Sequence, residues 1–473
     1  MQNGNHVEQV AQFFEPRSVA VVGSFRKGLF GGYVVIKNMM DAGFAGKIFP
    51  VNPSYQEVFG KKVYPSVLDV SGEINLALVM IGSRSVPEIL RQCAEKGVKA
   101  VVVVADGFAE RDEEGARLQE EIVSIARKAG IRIVGPNTAG IVNTENGLNP
   151  CPYTAGYSKI KAGGVALCSQ TGMINPQAYP YADLGYGVSK ICDFGNKCDL
   201  DECDMLEYLE NDPYTAVISL HIETIRNGHR FLEVARKVAA KKPVLVFKSG
   251  TTAEGAKASA SHTGSMAVDD KIFDSACKQA GVIRLERFSE LFDLPGIFVS
   301  NPLPKGNRLG IASLTGAVGV VSTDEGAKYG LKVGSLSSKT VEMLNKAFPG
   351  LGNNPIDFGP PVAAVSDFMS LYKNAIIAAV ADNKIDCFMN IVWVDPAGEM
   401  SSEYIKTYEE LRSLKKPVAT WIYGPRTPVV RDLTEQLVNM GFPVFNELET
   451  AIKALGIAYQ YNNPHAQVGH NEG

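Results

Sequence analysis

Gly164-Val-Ala-Leu-Cys-Ser-Gln-Thr-Gly172 is an apolar run that breaks into a turn of small polar residues, and Arg308-Leu-Gly-Ile-Ala-Ser-Leu-Thr-Gly316 echoes it further along the chain. A short β-branched and apolar run ending in such a turn reads as a buried strand that delivers the chain into a helix. The parallel continues in order. Lys241-Lys-Pro-Val-Leu-Val-Phe247 matches Lys415-Lys-Pro-Val-Ala-Thr-Trp421, and the pair Ala280-Gly-Val-Ile283 and Phe288-Ser-Glu-Leu291 matches Met440-Gly-Phe-Pro-Val444 and Asn446-Glu-Leu448. The repeat predicts two successive flavodoxin-like α/β domains, over 146–300 and 301–465, with the Pro/Gly/Asn stretch Ser300–Asn307 as linker and 466–473 as a tail.

Working back toward the N-terminus, strand-like runs Ser18–Val22, Lys47–Val51, Leu76–Ile81, Ala100–Val104 and Arg132–Val134 alternate with amphipathic stretches such as Val86–Lys96 and Glu114–Ala129. That alternation is the mark of a doubly wound parallel sheet, so residues 1–145 are expected to form a Rossmann-like domain, ending in the aperiodic polar stretch Asn143–Gly164. Its first strand runs through Gly23 and Ser24 into Phe25-Arg26-Lys27-Gly28-Leu-Phe-Gly31-Gly32 and then the helical run Tyr33–Met40. Glycines let a backbone approach a phosphate, and Arg26 and Lys27 add positive charge. The spacing is not Gly-x-Gly-x-x-Gly, and the second strand leads into Val51-Asn-Pro-Ser-Tyr55 without an acidic residue for a ribose hydroxyl. An adenine-nucleotide site other than NAD is expected.

The chain has 473 residues, 45% hydrophobic, with 47 Lys+Arg against 51 Asp+Glu. Such a length divides into several domains, and the absence of a basic excess argues against nucleic acid or an anionic membrane as partner. No membrane-spanning apolar run or cleavable leader is read, and the eight cysteines lack paired short spacings, so a cytoplasmic location is expected. Cys192, Cys198 and Cys203 are spaced too irregularly for structural zinc, and no metal site is expected on this chain. The nearby Asp199, Asp201, Glu202, Asp204 and Glu207 read as a solvated helix face.

Of six histidines, His6, His465 and His470 fall near the termini, His229 follows a surface turn, and His221 lies inside the strand-like Val217–Ile222. His262 stands apart, at the end of the Gly/Ala/Ser-rich run from Lys248. Ser261-His262-Thr263-Gly264 is expected to start a helix from a flexible loop, so that a phosphoryl group on the imidazole meets helix N–H donors. The second copy of the repeat is shorter here and has Tyr423-Gly-Pro-Arg-Thr-Pro without a histidine, so the fold does not require this segment. Ser169, Gln170, Thr171 and Gly172 offer a second anion-binding turn beside Thr263 and Gly264. Glu223, after the strand Val217–Ile222, is placed to hold an imidazole.

These motifs, together with Gly43-Phe-Ala-Gly-Lys-Ile-Phe-Pro-Val-Asn-Pro53, Gly107-Phe-Ala-Glu110, Gly135-Pro-Asn137 and Phe194-Gly-Asn-Lys197, resemble from about Phe14 to Leu455 the α subunit of the NDP-forming acyl-CoA synthetases. That family is typified by ADP-forming acetyl-CoA synthetase, with succinyl-CoA synthetase more distant. The resemblance implies a reversible acid-thiol ligase that interconverts acyl-CoA, ADP and phosphate with carboxylic acid, CoA and ATP through an acyl phosphate and a phosphohistidine. It implies coenzyme A on the first domain, with Gly23 to Gly31 near its phosphates, Asn52 and Pro53 near its adenosine and Gly107 in a matching motif. His262 would carry the phosphoryl group, Glu223 would steady it, and Asn137 would lie near the acyl and phosphate groups. ADP/ATP and Mg2+ would sit on a separate ATP-grasp β subunit, in an α2β2 hetero-oligomer. Phe108, Met173, Tyr179 and Tyr181 would border the acyl group. Met173 and the Ser313–Gly319 loop depart from the family pattern, and a CoA-binding sensor or scaffold without turnover is the alternative reading.

Overall fold

In a computed structural model of the chain the described residues are 2–153, 160–174, 181, 184–263, 269–300 and 302–464, with the side chains of 2–5 and 259–263 not described. The chain divides into two compact units, Met1–Leu291 and Phe292–Gly473.

The first unit holds two large sheets and a short antiparallel pair, Glu57–Val58 with Lys61–Lys62. Strands β1 (Ser18–Gly23), β2 (Lys47–Val51), β3 (Leu76–Met80), β4 (Ala100–Val103) and β5 (Arg132–Val134) form a parallel sheet in the order β2-β1-β3-β4-β5. The order reverses beside β1, which is where a crevice opens at the carboxyl ends of such strands. Val19, Val21, Leu76, Leu78 and Val102 pack into one core while Ala20, Val22, Ala77, Val79, Val101 and Val103 pack into another. Both faces are therefore covered, which is why these strands are continuous apolar runs without polar alternation.

The second sheet consists of β6 (Ile141–Asn143), β7 (Ala162–Ser169), β8 (Val188–Asp193), β9 (Val217–Ile222), β10 (Val244–Lys248) and β11 (Ile283–Arg284), ordered β11-β10-β9-β7-β8-β6. β6 alone runs antiparallel, on β8. A single hydrophobic cluster runs from Val19 and Leu78 of the first sheet to Cys168, Cys192 and Ile218 of the second. Helix α1 (Gln2–Phe14) packs on α2 (Glu202–Glu210), with Phe14 stacked on Tyr208 at 5.3 Å. The N-terminal helix thus belongs to the core of both sheets, and the Nδ1 of His6, expected at a frayed end, accepts a hydrogen bond from the Arg132 guanidinium at 3.0 Å.

The acidic run is not a solvated face. Asp201 caps α2 in a capping box with Asp204, and Asp204 is buried between Arg132 (2.9 Å) and Arg230 (2.7 Å). Glu202 is buried against Lys197 at 2.7 Å. Burial raises the cost of the Asp204 charge, but the two guanidiniums hold its pKa below the ordinary aspartate value. The charge pattern alone could not distinguish a wet helix face from one that meets arginines supplied by distant elements.

The second unit carries β12 (Arg308–Ser313), β13 (Lys332–Val333), β14 (Ile356–Asp357), β15 (Cys387–Trp393), β16 (Val418–Tyr423) and β17 (Val444–Phe445), with path β13-β12-β15-β16-β17 and β14 paired to β12. Its core centres on Tyr372, Tyr404, Tyr408, Phe358 and Phe388. All eight cysteines are free and buried. Among the described residues no helix is long and apolar enough to cross a membrane.

Candidate functional site

The carboxyl ends of the two sheets of the first unit meet around a cavity of about 520 Å³, bordered by Met80 to Gly82, Val104 to Asp106, Asn137 to Ala139, Gln170 to Gly172, and Asp193, Gly195 and Asn196. Phe30 and Tyr153 also border it, with rings 5.2 Å apart, edge to face. Strand ends supply nearly every lining residue, as expected of parallel sheets, whose following loops are free to carry chemistry.

Gln170 is fixed with unusual completeness. Its Oε1 accepts the backbone N–H groups of Glu223 (2.8 Å) and Thr224 (3.1 Å) and the ammonium of Lys197 (3.2 Å). With the carbonyl engaged by three donors, the group the side chain offers to a ligand is its amide Nε2, a pure donor suited to an anion. Lys197 itself is buried, bonded to Glu202 and, at 2.5 Å, to the Thr224 carbonyl, so its charge stabilises this corner without entering the cavity lining.

Asn137 enters the cavity from the loop after β5. Its φ of 57° is in the left-handed region, which asparagine tolerates better than most side chains. Its N–H is bonded to the Ala105 carbonyl at 2.8 Å, and its Nδ2 reaches Asn196 Oδ1 at 3.4 Å. Asn196 in turn donates to Glu110 and, at 3.0 Å, to Gln119, while Glu110 Oε1 accepts the N–H groups of Gly107 (2.6 Å) and Phe108 (3.0 Å). The two asparagines are thereby tied to the loop after β4. Gly195 makes this possible: a Cβ there would lie 2.2 Å from the Pro136 carbonyl oxygen.

Two buried side chains not selected from the sequence matter here, Asp193 in the cavity lining and His221 behind the Ser169–Gly172 turn. Asp193, 2% exposed, borders the cavity at the end of β8 and accepts the N–H groups of Ala139 (2.5 Å) and Gly195 (3.1 Å). Burial pushes its carboxyl up to about 6 against the pull of those hydrogen bonds. His221 is no inert strand residue: Nδ1 lies 2.9 Å from Ser169 Oγ and Nε2 lies 2.6 Å from Ser249 Oγ. Ser169 Oγ also accepts the N–H of Thr171 at 2.9 Å. The imidazole therefore links the Ser169–Gly172 turn to the segment after β10. Lys248 Nζ donates to the carbonyls of Ser249 (3.1 Å) and Gly250 (3.3 Å) in that same segment. Sequence inspection shows a histidine in an apolar run; only the register, which pairs His221 with Ser169, reveals the link.

The segment carrying His262 differs from expectation. Ala253–Thr263 is helix α3, started by Thr252, whose Oγ1 accepts the Gly255 N–H at 3.0 Å. His262 and Thr263 therefore lie about ten residues into a helix and do not begin one; the next described helix, α4 (Asp270–Ala280), is capped by Asp269. The expectation mistook alanine-rich composition for a loop, whereas alanine is the strongest helix former. The side chains of Ser261, His262 and Thr263, and all of Gly264, lie outside the described residues.

Most of the remaining sequence-selected residues stand at the ends of β1 and β2, and Gly107 in the loop after β4. Asn52 Nδ2 donates to the Gly23 carbonyl at 2.9 Å, Ser24 Oγ is 3.3 Å from the Tyr55 hydroxyl, and Arg26, Lys27 and Gly28 are exposed. Gly31, with φ 107°, precedes the helix Gly32–Asp41, and Pro53 is exposed in the turn after β2. Gly107, φ 90°, packs where a Cβ would meet Arg111 at 2.9 Å. Of this group only the intervening Phe30 borders the cavity described above. Phe108 is fully buried in the core shared with Val79 and Val103, Met173 is half exposed, Tyr181 is buried with its hydroxyl on the Ile174 carbonyl, and Tyr179 lies outside the described residues. Phe108 therefore packs into that core and does not border the cavity.

Residues 17–144 match the model of a CoA binding domain, and 162–298 match that of a succinyl-CoA ligase-like flavodoxin domain. The acetate–CoA ligase [ADP-forming] II subunit alpha of Pyrococcus furiosus is 37% identical over 460 residues, covering 95% of this chain and 98% of its own. The acetate–CoA ligase [ADP-forming] II of Archaeoglobus fulgidus is 37% identical over 96% of this chain and 67% of its own, longer sequence. The solved dinucleotide-forming acetyl-coenzyme A synthetase 1 of Ca. Korarchaeum cryptofilum, in complex with phosphate and ADP, superposes with a TM-score of 0.86 at 31% identity, over 97% of each chain. With this likeness along its whole described fold, the chain belongs to the ADP-forming acetate–CoA ligase family.

Proposed function

We propose that the chain is the α subunit of an ADP-forming acyl-CoA synthetase, acting in the cytoplasm on a small carboxylic acid or its CoA thioester. The observation that carries this reading is the convergence of Asn137 and the Gln170-Thr171-Gly172 turn on one cavity at the ends of both sheets. Amide donors from Asn137 and Gln170 and the N–H groups of a strand-ending turn suit an acyl phosphate, whose charge they would meet without a metal ligand set. Coenzyme A would lie along Gly23, Ser24, Arg26, Lys27, Gly28, Gly31, Asn52, Pro53 and Gly107, with its sulfur end reaching past Phe30. Phosphate would attack the thioester to release CoA, and His262 would then take the phosphoryl group from the acyl phosphate. A neutral imidazole suits that step because it is nucleophilic near pH 7. Glu223, whose backbone is clamped to Gln170, would orient it. Ser169, Thr263 and Gly264 complete the phosphate-handling set, and an ATP-grasp β subunit would hold ADP/ATP and Mg2+ in an α2β2 assembly.

The test is the intact mass of the purified chain after incubation with inorganic phosphate and a panel of acyl-CoAs. One acid-labile phosphoryl group on wild type, absent from His262→Ala, is expected. Binding of CoA with no phosphoryl gain from any thioester, with or without an added ATP-grasp subunit, would move the chain to the sensor or scaffold reading.

A further inference from the structure

We propose that Asp193 is the proton relay of the exchange between thioester and acyl phosphate, taking the proton of the attacking hydrogen phosphate and passing it to the departing CoA sulfur. This rests on the functional reading above. In that exchange the acyl carbon loses its bond to sulfur and gains one to a phosphate oxygen, and one proton moves from that oxygen to the sulfur. No oxidant, reductant or further reactant is needed. An alkyl thiol has a pKa of about 8.5, so near neutrality the product is the thiol and the sulfur must acquire a proton. The reverse direction needs the same group to accept it.

A relay has to border the cavity, lie against the phosphate turn, and change protonation without moving. Asp193 borders the cavity together with Gln170, Thr171 and Gly172, and a Cβ on Gly172 would be 3.7 Å from its Oδ2. Each carboxyl oxygen is held by one backbone N–H, from Ala139 at 2.5 Å and Gly195 at 3.1 Å. A carboxyl oxygen has more than one lone pair, so these bonds fix the group while leaving it room for a proton. The neighbours from every packed element set its charge. The loop after β5 contributes the neutral Asn137, Thr138 and Ala139, and the turn after β7 the neutral Gln170, Thr171 and Gly172. From the end of β9 the charge of Glu223 opposes ionisation. On its own element, Asn196 is neutral and the Lys197 ammonium is occupied by Glu202, Gln170 and Thr224. The other carboxylate bordering the cavity, Asp106, is exposed. Burial pushes the Asp193 carboxyl up to about 6, close to the working range of a group that must both hold and release a proton. An arriving phosphate, being anionic, would favour its protonated form further.

The experiment compares two half-reactions in wild type, Asp193→Asn and Asp193→Ser: release of CoA from acetyl-CoA and inorganic phosphate, and phosphorylation of the chain by acetyl phosphate, which involves no sulfur. The relay predicts that both variants lose CoA release by about a hundredfold or more, with the wild-type pH dependence between 5 and 7 flattened, while phosphorylation from acetyl phosphate stays within about threefold. Equal loss of both half-reactions would make Asp193 a scaffold for the 137–139 loop and overturn the relay, as would an unchanged rate of CoA release. Silence of wild type with both probes would instead overturn the functional reading on which the relay rests.

Discussion

The second sheet of the first unit and the sheet of the second unit are copies of one sequence pattern, yet they treat buried polarity in opposite ways. In the second unit Asn390, at the centre of β15, is bonded to the hydroxyls of Tyr372 (3.0 Å) and Tyr408 (2.9 Å), and Tyr408 to Thr420 at 2.7 Å. That network closes on itself inside the core. In the first unit Gln170, Asp193 and His221 sit at strand ends, held by backbone N–H groups or serines, with Gln170 and Asp193 bordering the cavity. The corresponding turn of the second unit has Leu314 where the first has Gln170. Between the last two strands, among the described residues, the first copy places the helices α3 and α4 where the second has Thr427–Asn439. A fold copied twice keeps its strands and turns; chemistry shows as polar groups fixed from behind and presented outward.

That contrast can be broken at its largest expected effect by His262→Ala, which removes the phosphoryl acceptor and should take acid-labile phosphorylation below detection by mass. Gln170→Leu installs what the second copy already carries; loss of one preorganised donor predicts a fall of about a hundredfold in acyl phosphate formation, measured as CoA release. The mirror substitution Leu314→Gln should leave that rate unchanged. His221→Phe keeps an aromatic against Phe247 but breaks the bonds to Ser169 and Ser249, and a fall of about tenfold in the rate of phosphorylation is expected, with CoA affinity retained. Asn390→Leu strips the buried Tyr372 hydroxyl of its acceptor and leaves Tyr408 with Thr420 alone. It should cost about 1–3 kcal/mol in denaturant unfolding of the second unit and leave phosphorylation intact.

The remaining effect, comparable in size to that of Asn390→Leu, is a pH dependence of stability. The folded-state pKa of Asp193 is raised from 3.8 to about 6, so between those values the native state holds a proton that the unfolded state has released. Stability from this group is full below about pH 4 and declines as pH rises through 6, by an order of magnitude of about 3 kcal/mol. Asp193→Asn should remove that component from the pH profile of thermal unfolding.

The sequence made much of this fold legible and rather less of the site. Buried parallel strands are apolar throughout, so Leu76–Met80 and Ala100–Val103 can be found from residue type alone, and Val86–Lys96 from its apolar period. Asn137 and the Ser169–Gly172 turn could be found because small and amide residues after an apolar run are informative in themselves. Asp193 and His221 could not, since their significance lies in which strand is neighbour to which, a long-range fact. Composition misled at α3, where alanine and serine were read as loop, and at α2, where the arginines that pair with Asp204 come from β5 and from Arg230.

The most direct measurement is to incubate the chain with acetyl phosphate and to map the acid-labile phosphoryl group by peptide mass spectrometry. A single modified site, His262 in α3, is expected, with Gln170→Leu losing modification from acetyl-CoA plus phosphate. Stable modification at another residue, or none under conditions where CoA is bound, would contradict that assignment.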